Sequence, residues 1–154
     1  MGLILVLNIH GVINSPSGTR RAMSELKVSK KFTASVVADD ETTVGMLKLC
    51  KDYVAWTAID QGLLRDLLRA RGAVSSTRTL DEAALKKLGF KSHDEMASKI
   101  VSEGRRLSSV EGVRPFFNLS PPRGGFKRSV RRQYSQGGIL GDNPKLEEMV
   151  RRMM

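Results

Sequence analysis

Leu3-Ile-Leu-Val-Leu-Asn-Ile9 is apolar almost without interruption and rich in branched side chains, and Gly11 follows it. A run of this length bounded by a turn former predicts a well-covered strand, which His10 ends. Ser15-Pro16-Ser17-Gly18 then offers cap and turn chemistry. After it Ala22, Met23 and Leu26 recur at helical spacing, with Arg20, Arg21 and Lys27 on other faces, predicting one short amphipathic helix. The chain turns β-rich from Phe32 to Ala38, and Asp39-Asp40-Glu41 closes that strand. Thr42 or Thr43 is placed to cap a second helix carrying Val44, Leu47 and Cys50, and a third strand is predicted at Tyr53 to Thr57.

The order strand, helix, strand, helix, strand over residues 1–59 predicts a compact two-layer α+β core, with helices on one sheet face because each has a single apolar stripe. Asp60 can cap a third helix, in which Leu63, Leu64, Leu67 and Leu68 make a broad stripe that ends at Gly72. Leu80, Ala84, Leu85 and Leu88 mark a short helix stopped by Gly89. Ser92-His93-Asp94-Glu95 has the form of a capping box opening another, with Met96 and Ile100, that closes near Gly104. Residues 60–104 therefore form a helical extension. From Arg105 to Tyr134 eight lysines and arginines stand against the single acid Glu111, and prolines and glycines break any long element. Residues 105–154 are expected to be an extended basic segment ending in a helix, whose stripe is Leu146, Met149, Val150 and Met153.

Charge changes the picture from a small fold to a fold with a preferred class of partner. Lysine and arginine total 26 against 16 acids, giving +10 and an isoelectric point near 10.2. Such a field favours a polyanion. The one cysteine, Cys50, cannot form an intramolecular disulfide, so the fold does not depend on oxidation and suits a reducing cytosol. The apolar opening is too short to span a bilayer, and it lacks the basic leader and cleavage site of a secretory signal. Val6 stands where a myristoylation signal needs Ser or Thr.

Candidate catalytic chemistry is sparse. His10 and His93 are the only histidines, and neither sits in a metal-binding or nucleophile pattern. Asp39-Asp40-Glu41 is the best carboxylate cluster for a magnesium-dependent nuclease, but its place beside Thr42 and Thr43 is better explained by turn and helix-start chemistry. The glycines form no phosphate-loop or dinucleotide fingerprint, so no cofactor, metal or small-molecule substrate is expected. The helices between Leu80 and Glu103 admit a second reading as a helix-turn-helix DNA-binding regulator. Asp94, Glu95 and Glu103 are the wrong side chains for reading base edges.

The basic segments carry the stronger signal. Lys127, Arg128, Arg131 and Arg132 would neutralise phosphates, and glycines at Pro121-Pro122-Arg123-Gly124-Gly125 would let backbone approach a sugar-phosphate surface. Phe117, Phe126 and Tyr134 can stack on unpaired bases or fill core gaps, whereas Phe116 is expected in the core. Arg20 and Arg21 with Lys30 and Lys31 form a second basic site around the first helix.

This order of motifs resembles a known family, the large-subunit ribosomal protein numbered thirty in bacteria and in the universal scheme and seven in eukaryotes, in its long archaeal form. In the core the resemblance rests on Leu3 to Ile9, Ser15-Pro-Ser-Gly-Thr-Arg-Arg21, Val44-Gly-Met-Leu47, Lys51-Asp-Tyr-Val-Ala-Trp-Thr57 and Leu67-Leu-Arg-Ala-Arg-Gly72. Near the end it rests on Pro115-Phe-Phe-Asn-Leu-Ser-Pro-Pro-Arg-Gly-Gly-Phe-Lys127, Gly137-Gly138 and Arg151-Arg-Met153. It spans nearly the whole chain, with Ala73 to Arg114 matching least. The resemblance implies a three-stranded antiparallel sheet with two helices on one face, and a structural, non-enzymatic role against large-subunit ribosomal RNA, near the 5S ribosomal RNA and other ribosomal proteins. It also implies RNA contacts at Arg20, Arg21, Arg123, Gly124, Gly125 and Lys127; Arg128, Arg131, Arg132, Lys30 and Lys31 are added from charge alone.

Overall fold

A strand sends alternate side chains to opposite faces, so a strand that is apolar throughout needs cover on both. That is the situation of β1 (Leu3–Asn8), whose six residues are all buried in the computed structural model, which describes residues 2–154. Leu3, Leu5 and Leu7 enter one core and Ile4 and Val6 the other. Asn8, the polar exception, is fully buried but satisfied: its side chain donates to Val28 O and accepts from Gly11 N.

β1 pairs antiparallel with β2 (Thr33–Ala38) on one side and β3 (Val54–Ala58) on the other, with Val6 opposite Ser35 and Trp56. α1 (Ser17–Glu25) and α2 (Glu41–Leu49) cover one face, filling it with Ala22, Met23, Leu47 and Cys50. Both helices start differently from the sequence expectation. Pro16 occupies the cap position of α1, and the Ser15 hydroxyl donates instead to Val12 O at 2.6 Å. α2 is capped by Asp40, which accepts from Thr43 N at 2.7 Å, and not by either threonine. Cys50 is a buried free thiol, which burial pushes up to about 11 and so keeps protonated.

The sheet is larger than the three antiparallel strands in two layers that the sequence leads one to expect. Those three strands are present, but they form the middle of a six-stranded mixed sheet of order β4-β2-β1-β3-β6-β5 within an α+β fold. β4 (Phe117–Asn118) adds to β2 antiparallel, with Ala34 opposite Phe117. β6 (Gly138–Asp142) adds to β3 in parallel, with Ala55 opposite Gly141, and β5 (Ser129–Gln133) lies irregularly beside β6. All three extra strands come from the segment expected to be extended. β6 is illegible as a strand in sequence because glycine and aspartate fill three of its five positions, against strand propensity.

A third layer covers the second sheet face. α3 (Gln61–Arg71), capped by Asp60 as expected, buries Leu63, Leu64, Leu67 and Leu68, each worth on the order of 2 kcal/mol of apolar burial. α4 (Glu82–Lys87) contributes Leu85, and α5 (His93–Glu103) packs on α3 through Met96, Ala97 and Ile100. The Ser92 cap is made to Glu95 N, but the reciprocal Glu95 carboxylate accepts from Lys91 N, one residue earlier than a capping box requires. α6 (Leu146–Met153) completes the layer with Leu146, Met149, Val150 and Met153. No helix among the described residues is long and apolar enough to cross a membrane.

Phe116, expected in the core, is not the phenylalanine that enters it. Phe117 is fully buried in the larger core, whereas Phe116 is only half-buried and lies under Arg114, whose guanidinium carbon is 4.5 Å from the ring centroid. Phe117→Ala is therefore expected to cost about 3–5 kcal/mol of unfolding free energy and Phe116→Ala about 1 kcal/mol or less, read from denaturant titrations. Equal losses would contradict this register.

Candidate nucleic-acid interface

Chain topology, not sequence proximity, assembles the basic surface. Lys30 and Lys31 lie in the turn before β2, where Phe32 takes a left-handed φ of 60°. That conformation is held from both sides: Phe32 N donates to Asn8 O at 2.8 Å and Phe32 O accepts from Leu119 N at 3.0 Å. The Phe32 ring stacks on Phe126 with centroids 6.1 Å apart, and Lys31 Nζ lies 5.0 Å from the Phe32 centroid. Two basic segments nearly a hundred residues apart in the chain, Lys30-Lys31 and Arg123 to Lys127, thereby meet across one aromatic contact.

The turn that carries Arg123, Gly124 and Gly125 is fixed to α6. Arg152 Nη1 donates to Arg123 O at 3.1 Å and Gly125 O at 3.0 Å, and Arg123 N donates to Arg152 O at 3.2 Å. Gly124 and Gly125 take φ of 79° and 73°, a left-handed pair that side chains rarely adopt. Nothing lies within 4 Å of where a Cβ would sit on either, so both present open backbone. Beyond them Arg128 bends over Tyr134, its guanidinium carbon 4.3 Å from the ring centroid and Nη2 donating to Tyr134 O at 3.1 Å. Arg131 and Arg132 follow on β5, which His10 ties to the end of β1 through Val130 O. Arg20 and Arg21 stand on α1, where Arg20 donates to Ser15 O.

Every residue singled out from sequence for this surface is exposed: Arg20, Arg21, Lys30, Lys31, Arg123, Gly124, Gly125, Lys127, Arg128, Arg131 and Arg132. The ion pairs among the described residues are made by other arginines: Arg65, Arg105, Arg106 and Arg151. The candidate cations are left without carboxylate partners. Sequence reasoning misses Lys145 and Arg152. In sequence Arg152 is simply a cation favourable to the helix C-terminus and Lys145 stands alone, yet both line one recess with Lys127 and Arg128.

Asp40 is already engaged. Its carboxylate caps α2, and Arg106 donates to it at 2.9 Å and to the Thr43 hydroxyl at 3.3 Å. The hydrogen bonds from Thr43, with Arg106 beside them, lower the Asp40 carboxyl to about 2. These contacts account for Asp40 as helix-start chemistry. The helix-turn-helix reading fares no better, since α5 turns its apolar face to the core and exposes Asp94, Glu95 and Glu103.

No family model matches the chain. Individual relatives do. A protein of Cenarchaeum symbiosum (strain A) named large ribosomal subunit protein uL30 is 36% identical over 153 residues, covering 99% of both chains. Its namesake in Nitrosopumilus maritimus (strain SCM1) is 36% identical over 151 residues, covering 98% of this chain and 97% of its own. The Aeropyrum pernix protein of that name is 33% identical over 161 residues, with each chain covered in full.

Two outcomes follow from this geometry. Because the Asp40 carboxyl is held low, its contribution to folding is complete above about pH 4 and is lost as pH falls towards about 2. Asn keeps a capping acceptor without the charge. Stability of Asp40→Asn, followed by denaturant midpoint, should therefore decline less over that window than wild type; parallel curves would exclude the Asp40 carboxylate as a contributor. Arg152→Ala removes the donor to two carbonyls of the glycine turn, so hydrogen exchange at the Arg123 and Gly125 amides should accelerate while β1 amides keep their protection. Unchanged exchange in the turn would mean that it holds itself.

Proposed function

Because the chain belongs to the large ribosomal subunit protein uL30 family, whose members are structural and not enzymatic, we propose that it is a constituent of the large subunit on cytoplasmic ribosomes and stabilises folded ribosomal RNA with its basic surface. The observation that carries the RNA-binding reading is the set of exposed cations without carboxylate partners. A lysine or arginine already paired with a carboxylate would have to give up that partner to meet a phosphate. These residues need not, so counterion release on binding is realised in full.

On this reading the protein binds RNA by backbone and shape. Lys30, Lys31 and Lys127 flank the Phe32–Phe126 contact, Gly124 and Gly125 let a sugar-phosphate strand come close, and Arg128, Arg131 and Arg132 extend the charged surface along β5. Arg20 and Arg21 supply a second contact from α1. The site is on the large-subunit RNA, near the 5S ribosomal RNA and beside other ribosomal proteins.

The test measures binding of the purified protein to large-subunit RNA over a range of salt concentrations. Changing Arg128, Arg131 and Arg132 together to glutamate should weaken binding across RNA sequences and flatten the slope of log affinity against log salt, by somewhat under one for each phosphate no longer neutralised. In cell extracts the wild type should sediment with the large subunit and the triple variant should be depleted from it. An unchanged salt slope would reject the assignment.

A further inference from the structure

Beside the arginine-rich strand is a recess of about 220 Å³, below the roughly 300–1,000 Å³ of a drug-sized site. Its cations are Lys127, Arg128, Lys145 and Arg152, with Glu148 the one acid. Ile139 and Met149 supply apolar wall, and Tyr134 an aromatic one. The recess thus joins a cationic rim to apolar and aromatic walls. A cationic rim alone suits any phosphate, but phosphate gains nothing from apolar and aromatic walls. A nucleotide does, because its base has apolar faces and its backbone is anionic.

Arg128 is fixed for such a role. Its guanidinium is held over Tyr134 by the hydrogen bond to Tyr134 O, so a planar cation is presented as a platform without further loss of side-chain freedom. Guanidinium planes and aromatic rings are the surfaces on which unstacked RNA bases settle. Arg152 is likewise held in place by the glycine-turn carbonyls.

We infer that this recess takes a single unstacked nucleotide of the bound RNA, its base continuing the Arg128–Tyr134 stack and its phosphate lying between Lys127 and Lys145. The inference rests on the RNA-binding reading above and adds a site to it: elsewhere the surface meets backbone, here it captures one base.

Arg128→Lys separates the two contributions, because it keeps the charge and removes the plane. Full-length wild type, Arg128→Lys and Tyr134→Ala are titrated against large-subunit RNA at several salt concentrations, with nucleotide-resolution chemical probing of the complexes and thermal melting to confirm folding. Both variants should bind roughly ten-fold more weakly, the scale of one missing base stack, with the salt slope unchanged. Protection should disappear at one nucleotide and persist elsewhere. If both bind like wild type with an identical footprint, the recess holds no base and this inference falls alone. If wild type itself binds without salt dependence, the RNA-binding reading falls and takes the recess with it.

Discussion

Everything in this molecule depends on a strand that cannot face water on either side. Leu3, Leu5 and Leu7 on one face of β1 and Ile4 and Val6 on the other demand two separate covers. The first is local, since α1 joins β1 to β2 and α2 joins β2 to β3 across β1. The second has to come from later in the chain, and α3, α5 and α6 supply it. A βαβαβ unit alone would leave the leucine face of its central strand exposed, an apolar patch of the kind that drives association.

That demand shapes the basic surface as well. The carboxy-terminal segment is drawn onto the body because Phe117, Leu119, Ile139 and Leu140 belong to the second core and its strands extend both sides of the sheet. Between these anchors lie the glycine turn and the arginines of β5. Their geometry is therefore set by apolar burial nearby and, at the glycine turn, by Arg152. Preorganisation of this kind reduces the entropy lost on binding.

Leaving so many cations unpaired has a cost, since a net charge of +10 on a chain of this size repels itself in the compact state. Arginines elsewhere show that pairing was open to this sequence: Arg65 and Arg151 share Asp66, and Arg106 meets Asp40. Among the described residues the ion pairs thus lie beside the helices of the core and none involves the cations of the proposed RNA surface, as expected where a polyanion supplies the negative charge.

The residues of the chain determined the elements with strong periodicity: β1 to β3, the leucine stripe of α3, the Asp60 and Ser92 caps and the stripe of α6 are local patterns that need no partner to be read. The excess of charge and the segments that carry it were equally legible, because composition is independent of folding. Three things were decided only in three dimensions. Residues 117–118 and 138–142 are strands through pairing with β2 and β3, and residues 129–133 through pairing with 138–142, against weak or contrary propensity. Phe117 rather than Phe116 entered the core, since a two-residue strand takes its facing from the partner it joins. Lys30-Lys31 met Arg123 to Lys127, and Lys145 met Arg128, because contacts between distant segments are fixed by how layers stack, and no periodicity along a sequence encodes that.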